Sequence, residues 1–343
     1  MKTRGPNLFT YATSELSQDA VLAWMLEWAD SSFSQVDEAT HRLGREFMAL
    51  IFERHGKPFP KESVQVSVST QDRRIDVLAI VNDEYAILIE DKAGTREHSD
   101  QLTRYLRATK EGFAEAQVLP TYVQTFEQSS YRNVVNKEYK VISRTDLLTV
   151  LSHYESSEGA NNVALDLLAR LTDLDQRFAA YVTTPISQWD WYAWQGFFRD
   201  LQRDLEAGGW GYVPNQSGGF LGFWWGNVDR GKVSLYLQLE QRRLCVKIHT
   251  DGDPDVRRKR RTLWHERTMR AAKRLGIPLR RPGRFGNGKT MTVAILDEEY
   301  RQLGGNERVD LDATVKFLHT AHEVVVTAME DVDEAEGGSP SHN

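Results

Sequence analysis

Asp76, Glu90, Asp91, Lys92, Gln101 and Tyr105 have the types and spacing to do chemistry together. The first four lie in "RRIDVLAIVNDEYAILIEDKAG", residues 73–94, which reads as two strands apolar enough to sit inside a sheet. A charge there is costly unless something pairs with it, often a metal ion. Side chains alternate along a strand, so Glu90 and Lys92 share one face and Asp91 points to the other. Pairing through the turn Asn82-Asp83-Glu84 brings Asp76 close to Glu90. Two such carboxylates repel unless a divalent cation neutralises them, and hard Mg²⁺, with Mn²⁺ as substitute, prefers these oxygen ligands. The Asp91 carbonyl offers a further oxygen, and Lys92 can reach water or phosphate. Within seventeen residues, 76 to 92, stand the parts that metal-assisted phosphodiester hydrolysis needs. Gln101 and Tyr105, four apart, share one helical face. The competing reading is a solvent-facing strand end with a Glu90–Lys92 ion pair and an exposed Asp76.

The elements that must position these residues are also readable. "SELSQDAVLAWMLEWAD" (14–30) predicts a helix capped by Ser14, with only Glu27 charged from Ala20 to Ala29 and hence largely buried. A second helix follows near 37–56, closed by Gly56. Strands are expected at "SVQVSVST", "RIDVLAIV" and "YAILIED", then a helix over "HSDQLTRYLRATKEG" ending at Gly112. A strand "AQVLPTYVQTF" and a strand running into a helix, "YKVISRTDLLTVLSHY", complete an α/β layer fold with a mixed sheet. After "ESSEGANN" an amphipathic helix spans about 163–182. Pro185 opens a differently composed half with seven of the nine tryptophans. There we expect a helix at 187–206, strands "GFLGFWWG", "KVSLYLQLE", "RLCVKIHT" and "TMTVAIL", a basic helix near 258–275 and a last helix at 311–330. That is an α+β domain with an antiparallel sheet. The expected division is 1–155, a helical connector 156–184, a domain 185–330, and a disordered acidic tail 331–343.

Composition sets the outer limits. Of 343 residues 40% are hydrophobic and 27% charged, as in a soluble globular protein. The one cysteine, Cys245, rules out an internal disulfide framework and fits a reducing cytoplasm. No run approaches a membrane span, and the N-terminus lacks a secretory apolar stretch. The net charge of −6 means that any nucleic-acid surface must be local. From Arg257 to Lys289 there are thirteen Lys or Arg against one acid, Glu266. Arg257, Arg258, Lys259, Arg260, Arg261, Arg284 and Lys289 are the candidates for phosphate contact; a solvated helix face explains the run equally well.

Asp76, Glu90-Asp91-Lys92 and Gln101-x-x-x-Tyr105 together resemble the PD-(D/E)XK nuclease superfamily in its RecB-like or lambda-exonuclease-like variety. "SELSQDAVLAWMLEWAD" and "LIEDKAG…HSDQLTRY" look like a bacterial group within it associated with phage defence or restriction. The resemblance covers roughly residues 7–150, with Ile75-Asp76 in place of Pro-Asp. It implies a restriction-endonuclease-like fold and Mg²⁺-dependent cleavage of nucleic acid, DNA over RNA. Asp76, Glu90 and the Asp91 carbonyl would hold metal, Lys92 would act on the attacking water, and Gln101 and Tyr105 would orient Lys92 or the phosphate. Family members often add an acid from the first helix; Glu15 is the candidate here, Glu46 the substitute. Glu15 at a helix start also has a simpler role against the helix dipole. A homo-oligomer or a defence-system protein partner fits the same picture.

Three other signals stand in the sequence. "GRFGNGKT" (283–290) matches a phosphate-binding loop pattern, but a strand follows it where a helix is needed. The histidines lack metal spacing. The tryptophans read as core, with Trp224-Trp225 the exception in which alternation exposes one ring. The rival function is a DNA-binding or regulatory protein that keeps the fold without cutting.

Overall fold

In the computed structural model the described residues are 5–72, 75–92, 94, 101–155, 159–215 and 218–331. The chain divides into two compact units, Met1–Arg177 and Phe178–Asn343.

The first unit contains α1 (Glu15–Glu27), α2 (Glu38–Arg54), β1 (Val66–Asp72), β2 (Ile75–Val81), β3 (Tyr85–Lys92), α3 (Gln101–Lys110), β4 (Val118–Gln124), α4 (Arg132–Asn136), β5 (Lys140–Ser143) and α5 (Arg144–Glu155). Helix α6 (Asn162–Thr183) follows, and the boundary between the units falls inside it. Among the described residues the strands form one sheet in sequence order, antiparallel from β1 to β3 and parallel from β3 to β5. The antiparallel half is cheap to connect. In the three-residue connection 82–84, Asn82 and Asp83 both take positive φ, 54° and 51°, a turn whose twist suits a hairpin. The parallel half needs crossovers, which α3 and α4 supply.

Strand β3 is central, and every residue after Tyr85 is buried. That accounts for its unbroken apolar run, since a strand covered on both faces has no polar side to alternate with. Leu88 and Tyr122 pack with Leu102, Tyr105 and Leu106 of α3 on one face. Helix α1 lies against β1 and β2, and α2 against β4 and β5. Ser14 caps α1 by accepting from Ser17 N–H, and Leu22, Met25 and Leu26 are fully buried. The two helices approach closely at Gly44, where a Cβ would lie 2.5 Å from the Met25 carbonyl oxygen. Only glycine permits that spacing.

The second unit adds α7 (Trp191–Asp204), β6 (Gly209–Val213), β7 (Phe220–Arg230), β8 (Val233–Glu240), β9 (Leu244–Thr250), α8 (Pro254–Leu275), β10 (Leu279–Arg280), β11 (Thr290–Leu296) and α9 (Leu311–Glu330). Among the described residues its sheet is antiparallel throughout, in the order β10-β11-β9-β8-β7-β6. Phe223, Leu235, Leu237, Leu239, Ile248 and Val325 form part of its core. Cys245 on β9 is buried too.

Four expectations need correction. The helix expected at 187–206 is shorter, and β6 follows it unforeseen because Gly209 and Gly211 dilute its strand character. The basic helix begins at Pro254, behind an Asp253 cap, not near 258. A short helix α4 stands where none was expected. In agreement with the sequence, residues 283–289 form an irregular loop leading into β11, so the phosphate-loop pattern has no helix after it. Residues 98–100 of the expected α3 stretch and 332–343 of the acidic tail lie outside the described residues. Among the described residues no helix is long and apolar enough to cross a membrane.

Candidate active site

The hairpin register pairs Val77 with Ile89, so Asp76 falls opposite Glu90 and on the same face. Asp76 Oδ2 accepts from the Asp91 backbone N–H at 3.0 Å, which ties the two strands together at the site. Glu90 is 1% exposed and Lys92 5%. The side chain of Asp76 is 16% exposed. A solvent-facing strand end is therefore excluded.

Lys92 Nζ lies 2.7 Å from Glu90 Oε1, 3.8 Å from Asp76 Oδ2 and 3.9 Å from Glu15 Oε2. It also donates to the Asp91 carbonyl at 2.7 Å. Glu15 thus stands at the same cation as Asp76 and Glu90. Glu46 does not; its carboxylate faces His153 at 3.7 Å. Gln101 Nε2 donates to Glu90 Oε1 at 2.8 Å, so the side chain expected to orient Lys92 or phosphate orients Glu90 instead. Tyr105 is buried on the same side of the sheet, and burial followed by the charge of Glu90 raises its phenol pKa.

On the opposite face of β3 the structure reveals a second set of polar groups that the motif reading missed. Gln18 Nε2 donates to Asp91 Oδ1 at 2.6 Å, and Gln18 Oε1 accepts from Thr125 Oγ1 at 3.1 Å. Asp19 is 3% exposed and accepts from Gln71 at 3.2 Å. The available signal was helical spacing, because Glu15, Gln18 and Asp19 stand at i, i+3 and i+4. Arg144, buried at the start of α5, donates to the Thr125 carbonyl at 2.8 Å and fixes the end of β4 beside this set.

The electrostatics follow from crowding acids in a dry place. Burial, and then Asp76, push the Glu90 carboxyl up to about 7. Burial and Asp76 likewise push Asp19 up to about 7. Asp91 rises well above the carboxylate range through burial and its neighbour Asp19. Burial works against the charge on Lys92, but Glu90 and then Asp76 outweigh it and raise its pKa. The lysine is an ammonium, and it is held as one.

Does this donor set fit a divalent cation? Glu90 Oε2, Asp91 Oδ2 and Asp19 Oδ1 are buried and accept no hydrogen bond. A buried carboxylate oxygen with no partner is costly, and a cation beside it would remove that cost. The fit at Glu90 is good. Among the described residues no three His, Cys, Asp or Glu side chains form a ready metal cage. Mg²⁺ keeps several waters and can be held by one or two carboxylates, so Glu90 and Asp76 with the Asp91 carbonyl would suffice.

The basic run divides into two roles. Arg257 donates to the carbonyls of Gly252 and Asn287, Arg260 to Thr250 Oγ1 and the Asp251 carbonyl, and Arg261 to the Gly286 carbonyl. Arg261 and Arg281 also lie against the Phe285 ring, at 4.5 and 4.6 Å. These side chains brace the 250–252 and 283–289 loops, a structural task beside the phosphate contact expected of them. Arg258, Lys259, Arg284 and Lys289 are exposed, Lys289 paired with Asp251 at 2.7 Å and Arg258 3.6 Å from Asp255.

Comparison with known proteins adds one match. A model of the PD-(D/E)XK nuclease superfamily matches residues 6–169. No curated protein and no solved structure matches the chain. The matched stretch carries Glu15, Asp76, Glu90, Lys92, Gln101 and Tyr105 on a mixed five-stranded sheet flanked by helices. Through residues 6–169 the chain belongs to the PD-(D/E)XK nuclease superfamily, and its first unit has the restriction-endonuclease-like fold.

Proposed function

We propose that the first unit is a Mg²⁺-dependent deoxyribonuclease. One observation carries the reading: a buried lysine ammonium lies among Glu90, Asp76 and Glu15, while Glu90 keeps an unbonded buried oxygen. Asp76, Glu90 and the Asp91 carbonyl would hold the cation, with Glu15 as a further acid. When bound, the cation supplies Lewis acidity and a more acidic water.

The chain's own residues then have separable tasks. Lys92 stays protonated at neutral pH, so it serves as a hydrogen-bond donor and a positive charge, and not as the base. Its ammonium can hold the attacking oxygen and offset the negative charge that builds on the phosphoryl oxygens. Gln101 fixes the orientation of Glu90, and Asp76 fixes the end of β3 through the Asp91 N–H. Gln18 holds the Asp91 side chain on the far face, which steadies the peptide whose carbonyl faces the site. In-line attack by water leaves a 5′-phosphate and a 3′-hydroxyl.

DNA is favoured over RNA because the strand and helix motifs resemble RecB-like and lambda-exonuclease-like enzymes. A bacterial role in phage defence or restriction rests on the same resemblance. The complete set of two acids and a lysine speaks against a non-cutting binding protein. The test is incubation of the purified protein with linear, circular and single-stranded DNA and with RNA, in Mg²⁺, in Mn²⁺ and in EDTA. Divalent-dependent cleavage of DNA is expected. Cleavage of RNA alone would reassign the substrate, and no cleavage under any condition would remove the enzyme reading.

A further inference from the structure

A cavity of about 600 Å³ opens in the second unit, lined among others by Glu206, Trp224, Tyr236, Gln238 and His322. That is the size range of sites for small organic ligands. Trp224 pairs directly with Gln238 across β7 and β8, so the two side chains share a face, and Tyr236 lies two residues back on that face. Trp224 is 38% exposed, although its neighbour Trp225 is buried. Its strand partner on the other side is Gly209, where a Cβ would come within 3.0 Å of the indole nitrogen. The glycine leaves room for the ring beside the edge strand.

The strand is irregular beside the cavity. The β7–β8 register shifts between Trp225 and Val228, and Gly226 there has φ +65°. A side chain at Gly226 would strike the His322 ring, at 2.3 Å from a Cβ. Bulges of this kind re-aim side chains and are frequent beside binding sites. His322 Nε2 lies 3.0 Å from the Gly226 carbonyl, which can only accept, so Nε2 carries the hydrogen.

Gln238 is the informative group. It is 6% exposed, lines the cavity, and its amide nitrogen donates to Glu240 at 3.2 Å. The carboxylate fixes which end of the amide faces it. The Gln238 carbonyl oxygen accepts no hydrogen bond among the described residues and is open to a donor from a ligand in the cavity. The lining offers acceptors, this oxygen and the Glu206 carboxylate, beside the donors of the Trp224 indole, the Tyr236 hydroxyl and the Asn227 amide. Neither Lys nor Arg is among the described residues that line it, so it is not built to hold a phosphate.

We propose that this cavity binds an unstacked nucleobase bearing an exocyclic amino group, with Trp224 against its face and Gln238 accepting from its amino edge. Aromatic side chains stack on any base, and an amide pairs well with the amino edge of adenine. With its amide nitrogen held by Glu240, Gln238 offers only its oxygen, which favours an amino-bearing base over uracil and thymine. The base can come from a free nucleoside or from a single strand, and the chemistry is the same. This inference does not rest on the nuclease reading, because the cavity and the acids above belong to different units.

The test uses the full chain in EDTA, with adenosine, uridine, oligo(dA) and oligo(dT) titrated calorimetrically. Adenosine or oligo(dA) should bind, and Trp224→Ala should weaken that binding at least about tenfold, the scale of losing one stacked base. Gln238→Leu should remove the preference over uridine or oligo(dT). Should Trp224→Ala not fold, Trp224→Leu replaces it and should show the same loss. Binding of adenosine identifies a free-nucleoside site, and binding of oligo(dA) alone a strand site; both support the proposal. Absence of binding by both, equal affinity in the Trp224 variants, or uridine matching adenosine would overturn it.

Discussion

At the scale of single residues, Lys92 separates an enzyme from a protein that only binds. Its ammonium is buried with Glu90, Asp76 and Glu15 at 2.7, 3.8 and 3.9 Å. Lys92→Met keeps most of the stem volume and removes the charge. Cleavage should fall by about 10²–10³, the usual cost of one such electrostatic contact, while calorimetric Mn²⁺ binding persists. Asp76→Asn should lose both. A Lys92→Met protein that cuts as fast as the wild type would show that the ammonium has no part in the reaction. Asp19 allows a test of the electrostatics without any cleavage. Its carboxyl keeps a proton up to about pH 7 when folded, whereas an unfolded aspartate releases it near its ordinary 3.8. The folded state binds more protons between these values, so this group's contribution to stability is lost as pH rises toward 7. His55 acts in the opposite sense: burial and then Lys140 hold it at about 4, so its contribution is lost as pH falls below about 6.5. The clean measurement is therefore a difference. In metal-free buffer the melting temperature of Asp19→Asn relative to wild type should rise from pH 4 to pH 8. A pH-independent difference would mean that Asp19 is ionised throughout.

At the scale of elements, the hairpin and α3 were legible because local rules decide them. An apolar run ending in Glu-Asp-Lys has few ways to sit in a sheet, and Asn82-Asp83 suits the turn. Alternation then fixed which side chains meet. The contribution of Gln18 and Asp19 was not legible in the same way. Spacing places them on one face of α1 with Glu15, but the rotation of that helix decides where the face points. Rotation is set by tertiary contacts such as the approach of Gly44 to the Met25 carbonyl, which no local pattern records. The basic helix was half legible. Charge counting found it, yet could not tell arginines that brace a loop from those left in solvent. The structure makes that distinction testable. Replacing Arg258, Lys259 and Arg284 with Gln should lower the salt dependence of DNA binding and leave the melting temperature unchanged. Arg261→Gln should instead lower the melting temperature, since it loses the Gly286 carbonyl and the Phe285 ring together. A reduced salt slope in the Arg261 variant alone would reverse these assignments.

At the scale of the whole molecule, each unit has its own sheet and its own apolar interior, so a core substitution in one can be made without repacking the other. The strand that carries Cys245 belongs to the second of these interiors. The residue is 1% exposed, and burial followed by Glu240 pushes its thiol up to about 12. Only the thiolate attacks alkylating reagents, and at pH 8 that form would be roughly one part in ten thousand. The native chain is therefore chemically silent toward iodoacetamide. Alkylation should track the opening of the second unit, accelerating by orders of magnitude in denaturant near its unfolding midpoint. Fast alkylation in native buffer would contradict the burial of β9. Because the sequence holds no other cysteine, one introduced at an exposed position such as Tyr11 can be labelled with a fluorophore while Cys245 stays dark.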